Sequence, residues 1–325
     1  MNAALAGLHH VTAIASDPQR NLDFYVGLLG LRLVKRTVNF DDPGTYHFYF
    51  GDARGTPGTI LTFFPWPGAR RGVRGAGQVA ATAFAIPEGS VGFWLERCQA
   101  QRVRVERAPA RFGEEMLRLA DPDGLPLELV VTAAALSAVS PAVQPWAEST
   151  VPAAHALRGF HSVTLGPLGG GERTAALLTE IFGYQRVREE AGKRWRFAAA
   201  AAGKEGVGRL VDLLIAPEDS PGHVAAGSVH HVAFRVADEA QQRAWRERLL
   251  GLGYHVSPVM DRTYFRSIYF REPGGVLFEL ATDAPGFTVD EAPEELGTHL
   301  RLPPAMERER AQIEQILPAI TLPRA

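Results

Sequence analysis

Among 325 residues there is a single cysteine, Cys98. An intrachain disulfide is therefore excluded, and a cytoplasmic setting is expected. No run approaches 18 uninterrupted apolar residues, so no membrane span is expected. The opening MNAALAGLHH lacks a basic segment followed by a long apolar core, so no secretory signal is expected. Excess charge of either sign is also missing: 34 Lys+Arg stand against 36 Asp+Glu, a net charge of -2. Neither nucleic acid nor an anionic membrane is expected as a partner. The glycine-rich stretch GDARGTPG lacks the Lys-Ser/Thr pair of a phosphate loop and reads as a turn between strands. What is present is an ordinary globular balance, 46% hydrophobic and 22% charged, at a length that suits two domains or one large one.

The chain repeats itself at an offset of about 150 residues. GFHSVT, from Gly159, echoes GLHHVT, from Gly7. EPGGVLFEL, from Glu272, echoes DPDGLPLEL, from Asp121, with Glu279 over Glu128. Each half divides again. A strand-like run is followed by an amphipathic helix and then by three strands, a β-α-β-β-β unit. In the first helix Asp17 suits the N-cap, Pro18 the first helical position and Gly30 the stop. Leu22, Tyr25, Val26 and Leu29 form its apolar face. Four such modules are predicted, at about 7–67, 76–133, 158–217 and 228–283. They define an α+β chain with an N-terminal domain over 1–135 and a C-terminal domain over 158–283. An Ala/Pro-rich linker, 136–157, joins the halves, and a tail, 284–325, follows. Within the tail, a short helix from Pro304 would use Met306, Ile313 and Leu317.

His-His-Val occurs twice, at His9-His10 and His230-His231. Side chains alternate across a strand, so one histidine of each pair is expected to enter a given cavity. Glu279 stands between Phe278 and Leu280, and a carboxylate inside an apolar strand is costly unless it is paired or binds a metal. Two histidines and this glutamate make a three-ligand set. The spacings are long and weaker as a signal than a compact zinc motif.

These modules resemble the vicinal oxygen chelate superfamily of glyoxalases and extradiol dioxygenases. The stretches LHHVTAIASDPQRNLDFYVGLLGLRLVKRTVNFDDP, RGFHSVTL, HHVAFRV and PGGVLFELATDAPGFTVDE carry the likeness to its hydroquinone ring-cleaving branch. The resemblance implies two glyoxalase-like domains whose curved mixed sheets enclose a metal cavity. It also implies His10, His231 and Glu279 as metal ligands, with His9 and Thr12 supporting them. His230, Arg262 and Tyr269 are implied as acid/base or charge-stabilising groups. Two histidines and one carboxylate leave open coordination positions, which favours Fe(II) and O2 chemistry; Mn(II) or Zn(II) is chemically allowed. The fourth ligand slot of this cavity falls near Thr62, which argues against four-ligand isomerases. The implied activity is non-haem iron, extradiol-type cleavage of hydroquinone-type aromatic diols, substituted or chlorinated ones included. The partners are a small aromatic substrate and O2, with homo-oligomerisation left open. A metal-dependent glyoxalase-like isomerase, or a non-catalytic small-molecule binding or resistance protein, is the alternative.

The repeat places Ala81, Ser162, Glu128 and Asp212 in the slots of a second cavity, with His161 aligned to His9. Without imidazole at either strand start, that cavity reads as a vestige packed for structure. His47, in the aromatic strand YHFYF, reads first as a packed strand residue, with cavity lining as the alternative. His155, His223, His255 and His299 receive no role, and Cys98 reads as a buried, unreactive thiol.

Overall fold

The computed structural model describes residues 4–132, 143–200, 207–216 and 220–323. Residues 136–142 of the expected linker, and the module ends at 133 and 217, lie outside them. Each of the four modules has the expected order. The first comprises β1 (Leu8–Ala15), α1 (Pro18–Leu22), β2 (Arg32–Asn39), β3 (Asp42–Gly51) and β4 (Ile60–Pro65). The second comprises β5 (Gln78–Pro87), α2 (Val91–Ala100), β6 (Val105–Arg111), β7 (Glu114–Ala120) and β8 (Pro126–Thr132). The third has β9 (Phe160–Gly166), α3 (Glu172–Ala176), β10 (Tyr184–Glu190), β11 (Arg194–Ala199) and β12 (Leu210–Leu214). The fourth has β13 (Val229–Val236), α4 (Glu239–Gly251), β14 (Met260–Asp261), β15 (Phe265–Arg271) and β16 (Leu277–Pro285).

The Asp17 side chain caps α1 by accepting from the Arg20 N–H, and Gly30 adopts φ +70° at the stop. After Leu22 the helix widens into a π-helical turn, Asp23–Leu28. Leu22, Tyr25, Val26 and Leu29 are nevertheless all buried. The third module repeats the π turn at Leu177–Ile181. Among the described residues no helix is long and apolar enough to cross a membrane.

The modules combine into two curled, mixed, eight-stranded half-barrels. One has the order β14-β15-β16-β13-β1-β4-β3-β2, and the other β10-β11-β12-β9-β5-β8-β7-β6. Each sheet therefore draws one module from each half of the chain. β1 meets β13, and β5 meets β9, in antiparallel seams. Apolar residues of one face, such as Leu8, Val11, Val232, Phe234, Phe278 and Leu280, join the main core with Trp94 and Trp245. The other face of each half-barrel is left for polar groups.

The described linker residues are docked. Val151, Ala156 and Leu157 are buried, and the Ser149 hydroxyl donates to the Gly30 carbonyl at 2.7 Å. In the tail, Arg310–Ile316 forms α5 after a 3-10 turn, with Ile313 and Leu317 buried as expected and Met306 partly so. The tail also carries Asp290 and Glu291, which meet the fully buried ammonium of Lys35 on β2.

Candidate metal centre

Strict alternation fails at both His-His pairs. In the β1–β13 register Leu8 faces Phe234 and His10 faces Ala233, so His9 is the extra residue of a β-bulge. Farther along, Thr12 faces His231 and Ala13 faces Val229, so His230 is extra in turn. A bulge sets two residues against one and re-aims their side chains. Both histidines of each pair consequently lie on the polar face, between core residues Leu8 and Val11 on β1 and Val229 and Val232 on β13. The expectation of one cavity-facing histidine per pair is corrected for the second pair: His230 and His231 both line the cavity. His9 does not line it; its ring packs on Phe265, centroids 5.1 Å apart.

The ring nitrogens converge. His10 Nε2 lies 3.2 Å and His231 Nε2 2.9 Å from Glu279 Oε2, and the two imidazole nitrogens are 3.3 Å apart. Glu279 is fully buried. Its Oε1 accepts from the Ser267 hydroxyl, whereas Oε2 has no hydrogen bond of proper geometry despite the two close nitrogens. An orphaned carboxylate oxygen at the meeting point of two imidazoles is what a shared cation would satisfy. His10, His231 and Glu279 therefore fit a divalent ion, and theirs is the one such cluster among the described residues.

The supporting groups set the tautomers. His9 Nδ1 is 2.9 Å from His10 Nδ1, and the same nitrogens of His230 and His231 are 2.8 Å apart. If Nε2 of His10 is to ligate, its Nδ1 must carry the proton and donate to His9, which is free to donate from its other nitrogen to the Thr282 carbonyl. By the same logic His230 accepts at Nδ1 and presents Nε2–H to the cavity. Burial, reinforced by His231, lowers His230 to about 3, so this imidazole is neutral. His9 and His47 are also pushed down by burial, and in both cases His10 adds to the shift. Burial alone would raise the Glu279 carboxyl, but His10 and His231 hold it well below the usual carboxylate range.

Thr12 Oγ1 meets Thr62 Oγ1 at 2.8 Å; Thr62 bonds His47 Nε2 at 2.9 Å, and the Tyr49 hydroxyl lies 2.9 Å from His47 Nδ1. The fourth slot is thus a hydroxyl tied into a neutral chain. His47 lines the cavity, the alternative to plain strand packing. Tyr49 was missed. The repeat contains the signal: Tyr49 pairs with Thr62 across β3–β4 as Tyr269 pairs with Glu279 across β15–β16. Arg262 Nε donates to the Tyr269 hydroxyl at 3.2 Å, and its guanidinium reaches Asp41 at 3.4 Å. Phe64, Trp66 and Phe265 give a cavity of about 320 Å³ its aromatic walls. Cys98 is buried, and burial raises its thiol to about 11, which fits an unreactive group.

The glyoxalase/bleomycin resistance protein/dioxygenase superfamily model matches residues 7–129 and 169–280. The chain belongs to that superfamily. Within it, the chain is 46% identical over 309 residues to MhqO of Bacillus subtilis (strain 168), a ring-cleaving dioxygenase by name, covering 95% of each protein. It is 38% identical to the chlorohydroquinone/hydroquinone 1,2-dioxygenase of Sphingobium indicum, over 93% of this chain and 92% of that one. A Bacillus subtilis crystal structure described as a dioxygenase superposes with a TM-score of 0.92 at 44% identity, covering 99% of both chains. Glyoxalase I from Zea mays shares the superfamily fold at a TM-score of 0.62 and 17% identity, over 85% of this chain and 92% of that one.

Proposed function

We propose that this superfamily member is an Fe(II)-dependent, extradiol-type dioxygenase that opens hydroquinone-type aromatic rings with O2. The observation that carries the reading is the three-ligand cluster of His10, His231 and Glu279, whose fourth slot is Thr62, beside an aromatic-walled cavity. Three protein ligands leave room for a substrate oxygen and O2, as in two-histidine, one-carboxylate iron sites. Mn(II) or Zn(II) suits the same donors. When bound, Fe(II) would supply Lewis acidity toward a phenolic hydroxyl and a path for electrons from the aromatic ring to O2.

The protein side of the reaction follows from the cavity. Phe64, Trp66 and Phe265 hold a single aromatic ring and exclude water. His230 presents a neutral N–H with which to hold or pass a proton at a substrate oxygen. Arg262 offers a positive charge near developing anionic oxygen, with the Tyr269 hydroxyl anchoring its Nε. His9 and Thr12 position the ligand strand. The relatives named for hydroquinone and ring-cleaving dioxygenase activity support the same class.

The test is oxygen uptake by anaerobically Fe(II)-loaded protein given substituted hydroquinones, with mass spectrometry of the products. One O2 should be consumed per ring, both oxygen atoms retained, with no NADH or thiol added. Isomerisation of a methylglyoxal–glutathione adduct, without O2 uptake on any phenol, would replace this reading with the isomerase. Binding of aromatics without a metal and without turnover would replace it with a sequestering protein.

A further inference from the structure

The second half-barrel encloses a cavity of about 490 Å³. Its room has a local cause. At the bulges of β1 and β13 the polar face carries four imidazoles, whereas the β5 bulge falls on Ala80, next to Ala81, and both line this cavity. Leu214 and Pro126 add apolar wall.

Ion pairs on the same half-barrel satisfy its buried carboxylates, among them Glu128, which lines the cavity. Arg111 grips Glu128 through both terminal nitrogens, at 3.1 and 2.5 Å. Arg196 grips Asp212 at 2.7 and 3.0 Å and reaches Glu114 at 2.7 Å. With those carboxylates matched, four more arginines line the cavity: Arg74, Arg104, Arg118 and Arg194. Against them stands Glu106, beyond the Glu128 already held by Arg111. Arg118 approaches Glu128 at 3.6 Å. No carboxylate lies within ion-pair distance of Arg74, Arg104 or Arg194 among the described residues. Arg194 makes one hydrogen bond there, to Thr164 Oγ1 at 3.2 Å, so most of its fork is open to a ligand.

We propose that this second cavity binds a small organic anion, a carboxylate with an apolar body. The guanidinium forks suit a planar carboxylate, and the alanine and leucine wall suits a hydrocarbon portion. The site is independent of the proposed oxygen chemistry, because none of its lining residues touches the His10–His231–Glu279 cluster.

The experiment is isothermal titration of the full chain with benzoate, benzyl alcohol and inorganic sulfate. Benzoate should bind once per chain, about tenfold or more tighter than either of the others. Arg194→Gln and, separately, Arg104→Gln should weaken it about tenfold, the loss of one charge-assisted contact. Both variants should keep the wild-type melting temperature within a few degrees. Arg262→Gln, in the other half-barrel, should leave benzoate affinity unchanged. The proposal is overturned if benzoate does not bind, or if Arg262→Gln abolishes binding while Arg194→Gln and Arg104→Gln do not. Sulfate binding as tightly as benzoate would overturn it as well, because the apolar wall would then contribute nothing.

Discussion

The two half-barrels have the same ground plan and opposite solutions to the same electrostatic problem. In the first, the four slots read His10, Thr62, His231 and Glu279, and the residues across from the strand-end slots Thr62 and Glu279 are Tyr49 and Tyr269. In the second they read Ala81, Glu128, Ser162 and Asp212, and the residues across from Glu128 and Asp212 are Arg118 and Arg196. A buried carboxylate needs positive charge nearby. The second half-barrel finds it within the chain, in Arg111 and Arg196. The first sets imidazoles and tyrosines, and no arginine pair, around Glu279, and its Oε2 accepts no well-directed hydrogen bond, so a cation from solution can meet it there.

Removing a ligand should break this contrast most severely. Glu279→Gln, which keeps the shape but loses the charge, should lower divalent-metal affinity by more than the ~100-fold that loss of a supporting group brings. Glu128→Gln should leave metal affinity untouched. Equilibrium titration with a competing chelator measures both. An equal loss in the two variants would mean that the half-barrels are not specialised in this way.

Arg196→Met tests the other side. It removes the two-pronged partner of the fully buried Asp212 and leaves only Arg111 Nε, 3.6 Å away. Removing one partner of a buried pair costs about 3–5 kcal/mol, and the remaining arginine puts this loss at the lower end. Urea unfolding should show that loss while metal binding by the folded protein persists. A third comparison sets His9 against His161, the two single-strand equivalents at their bulges. His9→Ala should weaken metal binding ~10–100-fold by freeing the His10 tautomer, and His161→Ala should not. If His9→Ala proved harmless, the hydrogen bond between the Nδ1 atoms would not be holding the ligand.

The smallest effect concerns acid. Burial would raise Glu114, but His161 and Arg196 pull it down to about 2. A carboxyl lowered on folding contributes stability above its ordinary range, and that contribution fades as pH falls toward 2. Thermal melts of Glu114→Gln should therefore lose less stability between pH 5 and pH 3 than the wild type. Because Glu114 is partly exposed, solvent screens the effect and the difference should be modest. Identical pH dependence would mean that its pairing with Arg196 and His161 contributes nothing to stability.

Much of this contrast is written in the sequence. The doubled His-His-Val, the Glu279/Glu128 echo and the Thr62 slot all follow from aligning the chain with itself, and the strand registers place them at equivalent points. The side-chain directions at the pairs are less legible. Period-2 alternation sends His9 and His10 apart, and nothing in LHHVT announces the bulge that brings them together. Cross-strand neighbours were equally hidden. Tyr49, His47 and Ser267 reach the site through pairings between strands, which only the register reveals. Arg111 and Arg196 look like surface charges on polar strands, since their carboxylates lie many residues away. The Lys35 pairing with the tail at Asp290 and Glu291 depends on how the chain end returns over β2.

The account rests on one cavity having kept a metal site and the other having replaced it with arginine. Metal analysis of protein saturated anaerobically with Fe(II), for the wild type and Glu279→Gln, tests this most directly. The expected result is about one ion per chain in the wild type and close to none in the variant. Two tightly bound ions per wild-type chain, or an undiminished ion in Glu279→Gln, would contradict it.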